Sequence, residues 1–135
     1  MLNTASAFEI KIDWSEMDLF GHINNVAYFK YVQAARVNYL ELAGINTSDP
    51  ENKLSFAVAD TSCQFKKPLY FPGKIFVKTK TDWIKNSSLQ LTHVIFNENQ
   101  EITAEAIDVI VLFNYAKQSK VLISDEIRKK IGLMK

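Results

Sequence analysis

One long helix constrains the fold of this chain more than any other feature. Residues 26–43 are mostly helix formers, and steps of about 100° per residue place several apolar side chains on one stripe. Other apolar side chains lie outside that stripe, so such a helix must be covered by surrounding elements. Gly44 follows and predicts the end of the helix. The predicted stripe consists of Tyr28, Val32, Ala35, Tyr39 and Leu42.

The rest of the chain mainly predicts strands. Residues 8–14 alternate strictly between apolar and polar side chains, with Trp14 as the last apolar member. Four longer strand-like stretches follow the helix, and short polar turns between the last three predict antiparallel hairpins. A short final helix is predicted to open with Ser124, Asp125 and Glu126 and to end before Gly132. These elements predict an α+β fold of about five strands with one long helix on one face of the sheet. The longer strands are predicted at 56–65, 75–83, 89–96 and 102–113, after a loop at 46–53.

Composition argues against several classes of function. A chain of 135 residues suits one domain covering residues 1–135. The formal charge of +1 is spread over interleaved basic and acidic residues, which argues against a nucleic-acid partner. No apolar run reaches the roughly 20 residues that cross a bilayer, so no membrane segment is expected. The single cysteine, Cys63, fits a reducing compartment, and we expect a cytoplasmic protein.

A polar loop directly before the long helix predicts a functional site. It contains Asp18, Gly21, His22, Asn24 and Asn25, and either asparagine suits the N-cap of the helix. A helix N-terminus carries unpaired N–H groups and a partial positive charge, so it can bind an oxygen that becomes negative during a reaction. The loop therefore places a carboxylate, an imidazole and two amides at one helix end. Taken alone, an aspartate and asparagines before a helix are also ordinary turn and capping residues.

The loop and the first helical turn also carry a specific motif, D-x-x-G-H-I-N-N-x-x-Y. It resembles the signature of hotdog-fold thioesterases of the 4-hydroxybenzoyl-CoA thioesterase-like group, and the resemblance extends to Arg36 on the helix and loosely through the strands. The resemblance implies a curved antiparallel sheet wrapped around the central helix, with subunits joined edge to edge in a homodimer or homotetramer. It also implies hydrolysis of acyl-CoA, or of an acyl carrier protein thioester, to a carboxylic acid and free thiol. The motif residues are Asp18, Gly21, His22, Ile23, Asn24, Asn25 and Tyr28.

The resemblance assigns chemical roles to the loop. The aspartate at the position of Asp18 is the catalytic carboxylate of the family, which acts as a general base or as a nucleophile. The helix N-terminus would form the oxyanion hole, and His22 and Asn25 would complete the catalytic set as supports. Acyl-ACP thioesterases look like relatives and carry an Asp-x-Asn-x-His arrangement here, but Phe20 occupies the asparagine position in this chain. No metal or cofactor is implied.

The predicted substrate-binding residues lie beside this loop and at the end of a strand. Tyr28 on the first helical turn would line the acyl pocket, which suits an apolar chain or an aromatic acid. Lys66 and Lys67 would meet the phosphates of coenzyme A. Arg36 is expected to form a salt bridge from the helix to the loop, and His93 has no second ligand at metal spacing. The predicted binding set is Asn24, Tyr28, Phe65, Lys66 and Lys67.

Two other functions remain as alternatives. A non-hydrolytic hotdog module would bind acyl-CoA or another apolar ligand and use the loop only for its shape, which Phe20 at a normally polar position favours slightly. A hydratase or dehydratase of the same fold needs a second acid–base group, and the sequence places none for it. Acyl length, the choice between coenzyme A and acyl carrier protein, and the role of His22 stay open at this stage.

Overall fold

The long helix lies at the centre of the structure. A computed structural model describes residues 7–46, 51 and 53–134. The helix, α1, spans Asn25–Leu42, and its N-cap is Asn24, whose side-chain oxygen accepts a hydrogen bond from the Val26 N–H at 2.8 Å. It ends before Gly44, whose φ of +93° is a left-handed conformation that glycine adopts without strain. The predicted helix is confirmed, with both ends shifted by one position toward the N-terminus.

Six strands form one antiparallel sheet that wraps around α1. They are β1 (Phe8–Lys11), β2 (Ser55–Phe65), β3 (Lys74–Ile84), β4 (Ser88–Phe96), β5 (Ile102–Asn114) and β6 (Ser119–Lys120). The order is β1-β3-β4-β5-β2, and the short β6, which the sequence did not predict, pairs with β5. The two predicted hairpins, β3 with β4 and β4 with β5, are confirmed. Within the described part of the chain, β1 and β2 each have one partner and form the edges, while the predicted loop 46–53 lies largely outside the described residues.

The first strand is shorter than predicted. It stops before Asp13, which caps a 3-10 turn over Trp14–Glu16. The Asp13 carboxylate accepts a hydrogen bond from the Ser15 N–H at 2.9 Å, and the Glu16 carboxylate accepts one from the Asp13 N–H at 3.0 Å. This reciprocal capping gives the backbone partners that compete with a strand ladder. The prediction that Trp14 lies on the buried face was therefore wrong, and its side chain is 67% exposed.

The apolar core consists of two clusters, one on each half of α1. Four of the five predicted stripe residues are buried, but Leu42 is 64% exposed, and the neighbouring Leu40 is fully buried in its place. The cause is the second cluster, in which Ala43, Ile45 and strand residues of β4 and β5 cover the Leu40 side of the helix. No helix in the described ranges is long and apolar enough to cross a membrane.

A second helix, α2, spans Asp125–Leu133 and packs on the second cluster. The predicted final helix is confirmed, and Ser124 is its N-cap, whose side chain accepts a hydrogen bond from the Ile127 N–H at 3.2 Å. Ile127 and Ile131 are buried one helical turn apart. The helix continues through Gly132, so the predicted end before that residue was wrong.

A buried polar cluster connects α1 to the sheet. Arg36 bonds both oxygens of Asp108 on β5, with Nε at 2.8 Å from Oδ2 and one terminal nitrogen at 3.1 Å from Oδ1. Asp108 Oδ1 also accepts from the Thr61 hydroxyl at 2.7 Å, while His93 Nε2 lies 2.7 Å from Oδ2 and His93 Nδ1 lies 2.8 Å from the Thr79 hydroxyl. Burial alone would raise the pKa of Asp108, but the hydrogen bonds from His93, Arg36 and Thr61 hold this pKa well below its usual value. The partner of Arg36 is thus on the sheet, and the predicted salt bridge to the loop was wrong.

Candidate functional site

The motif loop is a closed turn at the N-terminus of α1. A bridge between Met17 and Ile23 brings its two ends together. Inside it, the Asp18 N–H donates to the His22 carbonyl at 2.8 Å, and the Gly21 N–H donates to the Asp18 carbonyl at 3.3 Å. Gly21 has a φ of +80°, which most other residues adopt only with strain. The motif glycine therefore lets the chain reverse between the aspartate and the histidine.

Asp18 uses one carboxylate oxygen to hold this turn. Its Oδ1 accepts hydrogen bonds from the Phe20 N–H at 2.8 Å and from the His22 N–H at 3.1 Å. Its Oδ2 has no hydrogen-bond donor among the residues that the structure describes. The residue is exposed and lines a cleft, so the second oxygen remains available for a reaction.

The backbone N–H groups predicted for the oxyanion hole are those at the start of α1, residues 24–26. Only one of these three is unpaired in the described structure. The Asn24 N–H donates to the Glu16 carbonyl at 2.7 Å, and the Val26 N–H donates to the Asn24 side chain. The Asn25 N–H has no acceptor within the described ranges. Because it is the first residue of the helix, its N–H also carries part of the positive end of the helix dipole.

His22 contributes to the loop through its backbone and through ring packing. Its ring meets Tyr70 edge-on, with 5.3 Å between ring centroids and an interplanar angle of 77°. No hydrogen bond joins the imidazole to the Asp18 carboxylate in the described structure. The two side chains therefore do not form a hydrogen-bonded acid–base pair in this conformation.

A cleft of about 390 Å³ brings the predicted site residues together. Its walls come from the motif loop, the first turn of α1 and the segment that follows β2. A larger groove of about 540 Å³ lies on the outer side of α1, but it contains neither the motif loop nor the helix N-terminus. Of the predicted residues only Asn24 is absent from the lining, because its side chain caps the helix. The lining consists of Asp18, His22, Ile23, Asn25, Tyr28, Phe65, Lys66, Lys67 and Pro68.

Aromatic rings form the apolar wall of the cleft. Tyr28 is 3% exposed, and its hydroxyl donates to the Lys67 carbonyl at 3.2 Å. Burial raises the pKa of Tyr28 to about 12, so the phenol stays a neutral donor. Phe65 packs edge-on against it at 5.1 Å between centroids and contacts Phe29 at 6.3 Å. Tyr28 is therefore fixed by packing, and Phe65, which is 46% exposed, gives this wall its accessible surface.

The lysines beside the cleft are paired with glutamates. Lys66 forms an ion pair with Glu105 at 3.0 Å, and Lys67 forms one with Glu101. The hydrogen bond from Lys67 contributes most to holding the pKa of Glu101 below its usual value. All four side chains are partly exposed, so these pairs are screened by solvent and can exchange partners.

Sequence reasoning missed one residue beneath the loop, Glu16. Its side chain is 8% exposed and lies on the protein side of the turn. Its Oε1 accepts from the Tyr31 hydroxyl at 2.8 Å, and Lys30 Nζ lies 3.2 Å from Oε2. The D-x-x-E spacing of Asp13 and Glu16 is a capping-box signal that identifies this residue before the structure is known.

Potential metal ligands do not gather around His93. No group of three His, Cys, Asp or Glu side chains in the described part of the chain is placed to hold a metal ion. His93 is fully buried and has hydrogen-bond partners at both ring nitrogens. Its contacts therefore belong to the cluster that joins α1 to the sheet.

Comparisons with known proteins agree with this fold. The family model described as the thioesterase-like superfamily matches residues 12–131. The acyl-acyl carrier protein thioesterase ATL3 of Arabidopsis thaliana is 32% identical over 124 residues, which is 90% of this chain. The matched region is 65% of ATL3, so this chain spans slightly less than two thirds of that protein's length. The long-chain acyl-CoA thioesterase FadM of Escherichia coli is 21% identical over 127 residues, 93% of this chain and 96% of that protein.

Solved structures match over nearly the whole chain. The PA2801 protein of Pseudomonas aeruginosa superimposes with a TM-score of 0.84 at 28% identity and covers 93% of this chain and 96% of its own. The predicted hotdog fold and the predicted family are both confirmed. The chain thus belongs to the thioesterase-like superfamily, which supports the enzyme class expected from its sequence, a thioester hydrolase.

Proposed function

We propose that this chain hydrolyses an acyl thioester in the cleft at the N-terminus of α1. One observation carries the proposal: Asp18, which has one carboxylate oxygen without a donor, and Asn25, whose backbone N–H is unpaired in the described structure, line the same cleft. Thioester hydrolysis needs a base or nucleophile on one side of the carbonyl and a donor to the developing oxyanion on the other. These two groups have the required chemistry.

The proposed reaction begins with the thioester carbonyl oxygen at the Asn25 N–H. Asp18 Oδ2 either takes a proton from a water molecule that adds to the carbonyl carbon, or adds to that carbon itself. The carbon–sulfur bond then breaks and the thiolate takes up a proton as free thiol; by the general-base route this step also releases the acid. By the nucleophilic route a second step, attack by water on the acyl-aspartate, restores the carboxylate. His22 and Asn25 support the loop and the helix end.

The proposed substrate is an acyl-CoA or an acyl carrier protein thioester. The aromatic wall of Tyr28 and Phe65 suits an apolar acyl group, and relatives are named for both kinds of thioester. Lys66 and Lys67 lie in the cleft lining, so substrate phosphates can replace their glutamate partners at little cost.

We also propose a homodimer, or a homotetramer built from it, that forms through the β2 edge. This strand has a partner on one side only in the described structure, and its last residue, Phe65, lines the cleft. An unpaired edge strand of this length is a template for pairing with a second copy.

The test is a thiol-release assay with short, long and aromatic acyl-CoAs and a carrier-protein thioester. The variant is Asp18→Asn, which can keep the acceptor for the Phe20 and His22 N–H groups while removing the charge. We expect kcat to fall at least about a hundredfold, the scale of a lost acid–base group. The matched control is Asp125→Asn, an exposed aspartate in the first turn of α2, which should keep the parent rate. An Asp18→Asn variant with the parent kcat would contradict the proposal.

The second candidate is a binding module that does not hydrolyse its ligand. The observation in its favour is that one Asp18 oxygen holds the turn, while the neighbouring Phe20 is 83% exposed. The Asp-x-Asn-x-His arrangement that the sequence resembles would have asparagine at the position of Phe20. The same assay separates the two functions. Saturable acyl-CoA binding without thiol release above background would select the module.

A further inference from the structure

Glu16 has contacts that suit a positioning role. The residue is buried beneath the motif loop, does not line the cleft, and makes contacts in three directions. Its carboxylate accepts from the Tyr31 hydroxyl at 2.8 Å and from the Asp13 N–H at 3.0 Å, and it forms an ion pair with Lys30 at 3.2 Å. Burial, followed by the hydrogen bond to Glu16, raises the pKa of Tyr31 above its usual value, so the phenol stays protonated and donates.

The backbone of Glu16 joins the same residue to the start of α1. Its carbonyl accepts from the Asn24 N–H at 2.7 Å, and the next residue, Met17, forms the bridge to Ile23 that closes the turn. Side chain and backbone together connect the loop to two positions of α1, the N-cap Asn24 and, about two turns further on, Tyr31. The Asp18 turn therefore cannot shift relative to the helix end unless these bonds break.

We infer that Glu16 is a positioning residue that fixes the place of the Asp18 carboxylate relative to the Asn25 N–H in the shared cleft. The inference rests on the proposed function, because it assigns Glu16 an effect through Asp18. A misplacement of reacting groups by about 1 Å can cost about a hundredfold in rate, so a residue that sets this separation acts on kcat more than on binding.

An effect of Glu16 through its hydrogen bonds and an effect through its negative charge lead to different predictions. Two of its three side-chain contacts are hydrogen bonds to Oε1, which the amide oxygen of glutamine can also accept. The third is an ion pair with Lys30, whose side chain is 64% exposed and therefore screened. If Glu16 acts by position, glutamine replaces it well and alanine does not.

The test measures kcat and KM separately for Glu16→Ala and Glu16→Gln, together with amide hydrogen exchange at Phe20 and His22. We expect Glu16→Ala to lower kcat by about tenfold to a hundredfold with KM within about threefold of the parent value. Exchange at both amides should accelerate in the same variant, because the turn that Asp18 holds opens more often. Glu16→Gln should keep kcat within about threefold of the parent.

Two controls separate positioning from a general loss of structure or charge. Glu126→Gln removes an exposed carboxylate that pairs with Lys130 on α2, and it should change neither kcat nor exchange in the loop. Ile127→Ala weakens the second core cluster, and below its melting temperature it should keep the parent kcat. A fall in kcat in Ile127→Ala as large as that in Glu16→Ala would overturn the inference.

The remaining outcomes distinguish this inference from the proposed function. An inactive Asp18→Asn variant beside a Glu16→Ala variant with parent kcat and unchanged exchange would overturn the role of Glu16 alone. A Glu16→Gln variant as slow as Glu16→Ala would show that charge matters and would also overturn it. An active Asp18→Asn variant would overturn the proposed function, while exchange at Phe20 and His22 would still decide whether Glu16 holds the turn.

Discussion

Replacing Asp108 with asparagine removes the central charge of the buried cluster that connects α1 to the sheet. Asp108 is fully buried and accepts from Arg36, Thr61 and His93 in the described structure. The substitution leaves the Arg36 guanidinium, 10% exposed, without its counter-charge. Breaking a buried ion pair by removing one partner costs about 3–5 kcal/mol of unfolding free energy. Total stability for a domain is about 5–15 kcal/mol, so this loss is a large fraction of it.

Urea and thermal unfolding followed by circular dichroism would measure this loss. We expect the melting temperature to fall by roughly 10–20 °C, because each kcal/mol lost lowers it by a few degrees in a chain of this size. The matched control is Asp82→Asn, since Asp82 also accepts hydrogen bonds from two side chains but is exposed. This variant should lose no more than about 1 kcal/mol of unfolding free energy. The double variant Asp108→Asn with Arg36→Met should be more stable than Asp108→Asn alone, because no uncompensated charge remains. If Asp108→Asn lost no more unfolding free energy than the surface control Asp82→Asn, the reasoning would be refuted.

Two further predictions concern pH and the cleft wall. Since the folded-state pKa of Asp108 lies below its usual 3.8, its contribution to stability is present above that value and is lost as the pH falls further toward the folded pKa. When the unfolding free energy is measured at decreasing pH, the parent should lose stability from near pH 4, and Asp108→Asn should lose less. Equal slopes of unfolding free energy against pH in the two proteins would contradict this. Phe65→Ala removes a ring that lines the cleft and packs on Tyr28, so KM for long-chain acyl-CoA should rise about tenfold, or about 1.4 kcal/mol. The control is Phe76→Ala, since Phe76 is a half-buried strand residue outside the cleft lining. An unchanged KM for Phe65→Ala in steady-state assays would exclude Phe65 from the acyl site.

Local patterns predicted the elements of this fold but not every residue at their ends. Alternation places β3 and β4 correctly because one face of β4, and of the first half of β3, is buried. The pattern failed at Trp14, where the side chain of Asp13 forms a cap and the strand cannot continue. It failed again at Leu42, since a helical wheel cannot show from which side the sheet covers the last turn.

Long-range polar contacts were beyond sequence reasoning. Arg36 and Asp108 are 72 positions apart, and nothing in either segment identifies the other as its partner. The candidate site was more predictable, because its residues lie close together in a motif and at one strand end. The sequence did not predict which N–H stays unpaired, since that depends on the Glu16 carbonyl and on the choice of Asn24 as N-cap.

The three walls of the cleft share one reference element, α1. The loop is joined to it through Glu16 and Tyr31, and the segment after β2 is joined through the Tyr28 hydroxyl and the Lys67 carbonyl. The body of β2 is joined to it less directly, through Thr61 and the ion pair of Arg36 with Asp108. A displacement of α1 would therefore either carry these walls with the Asn25 N–H or break the hydrogen bonds that join them to the helix. This explains why a helix that supplies a single unpaired N–H to the chemistry is held by polar contacts along much of its length.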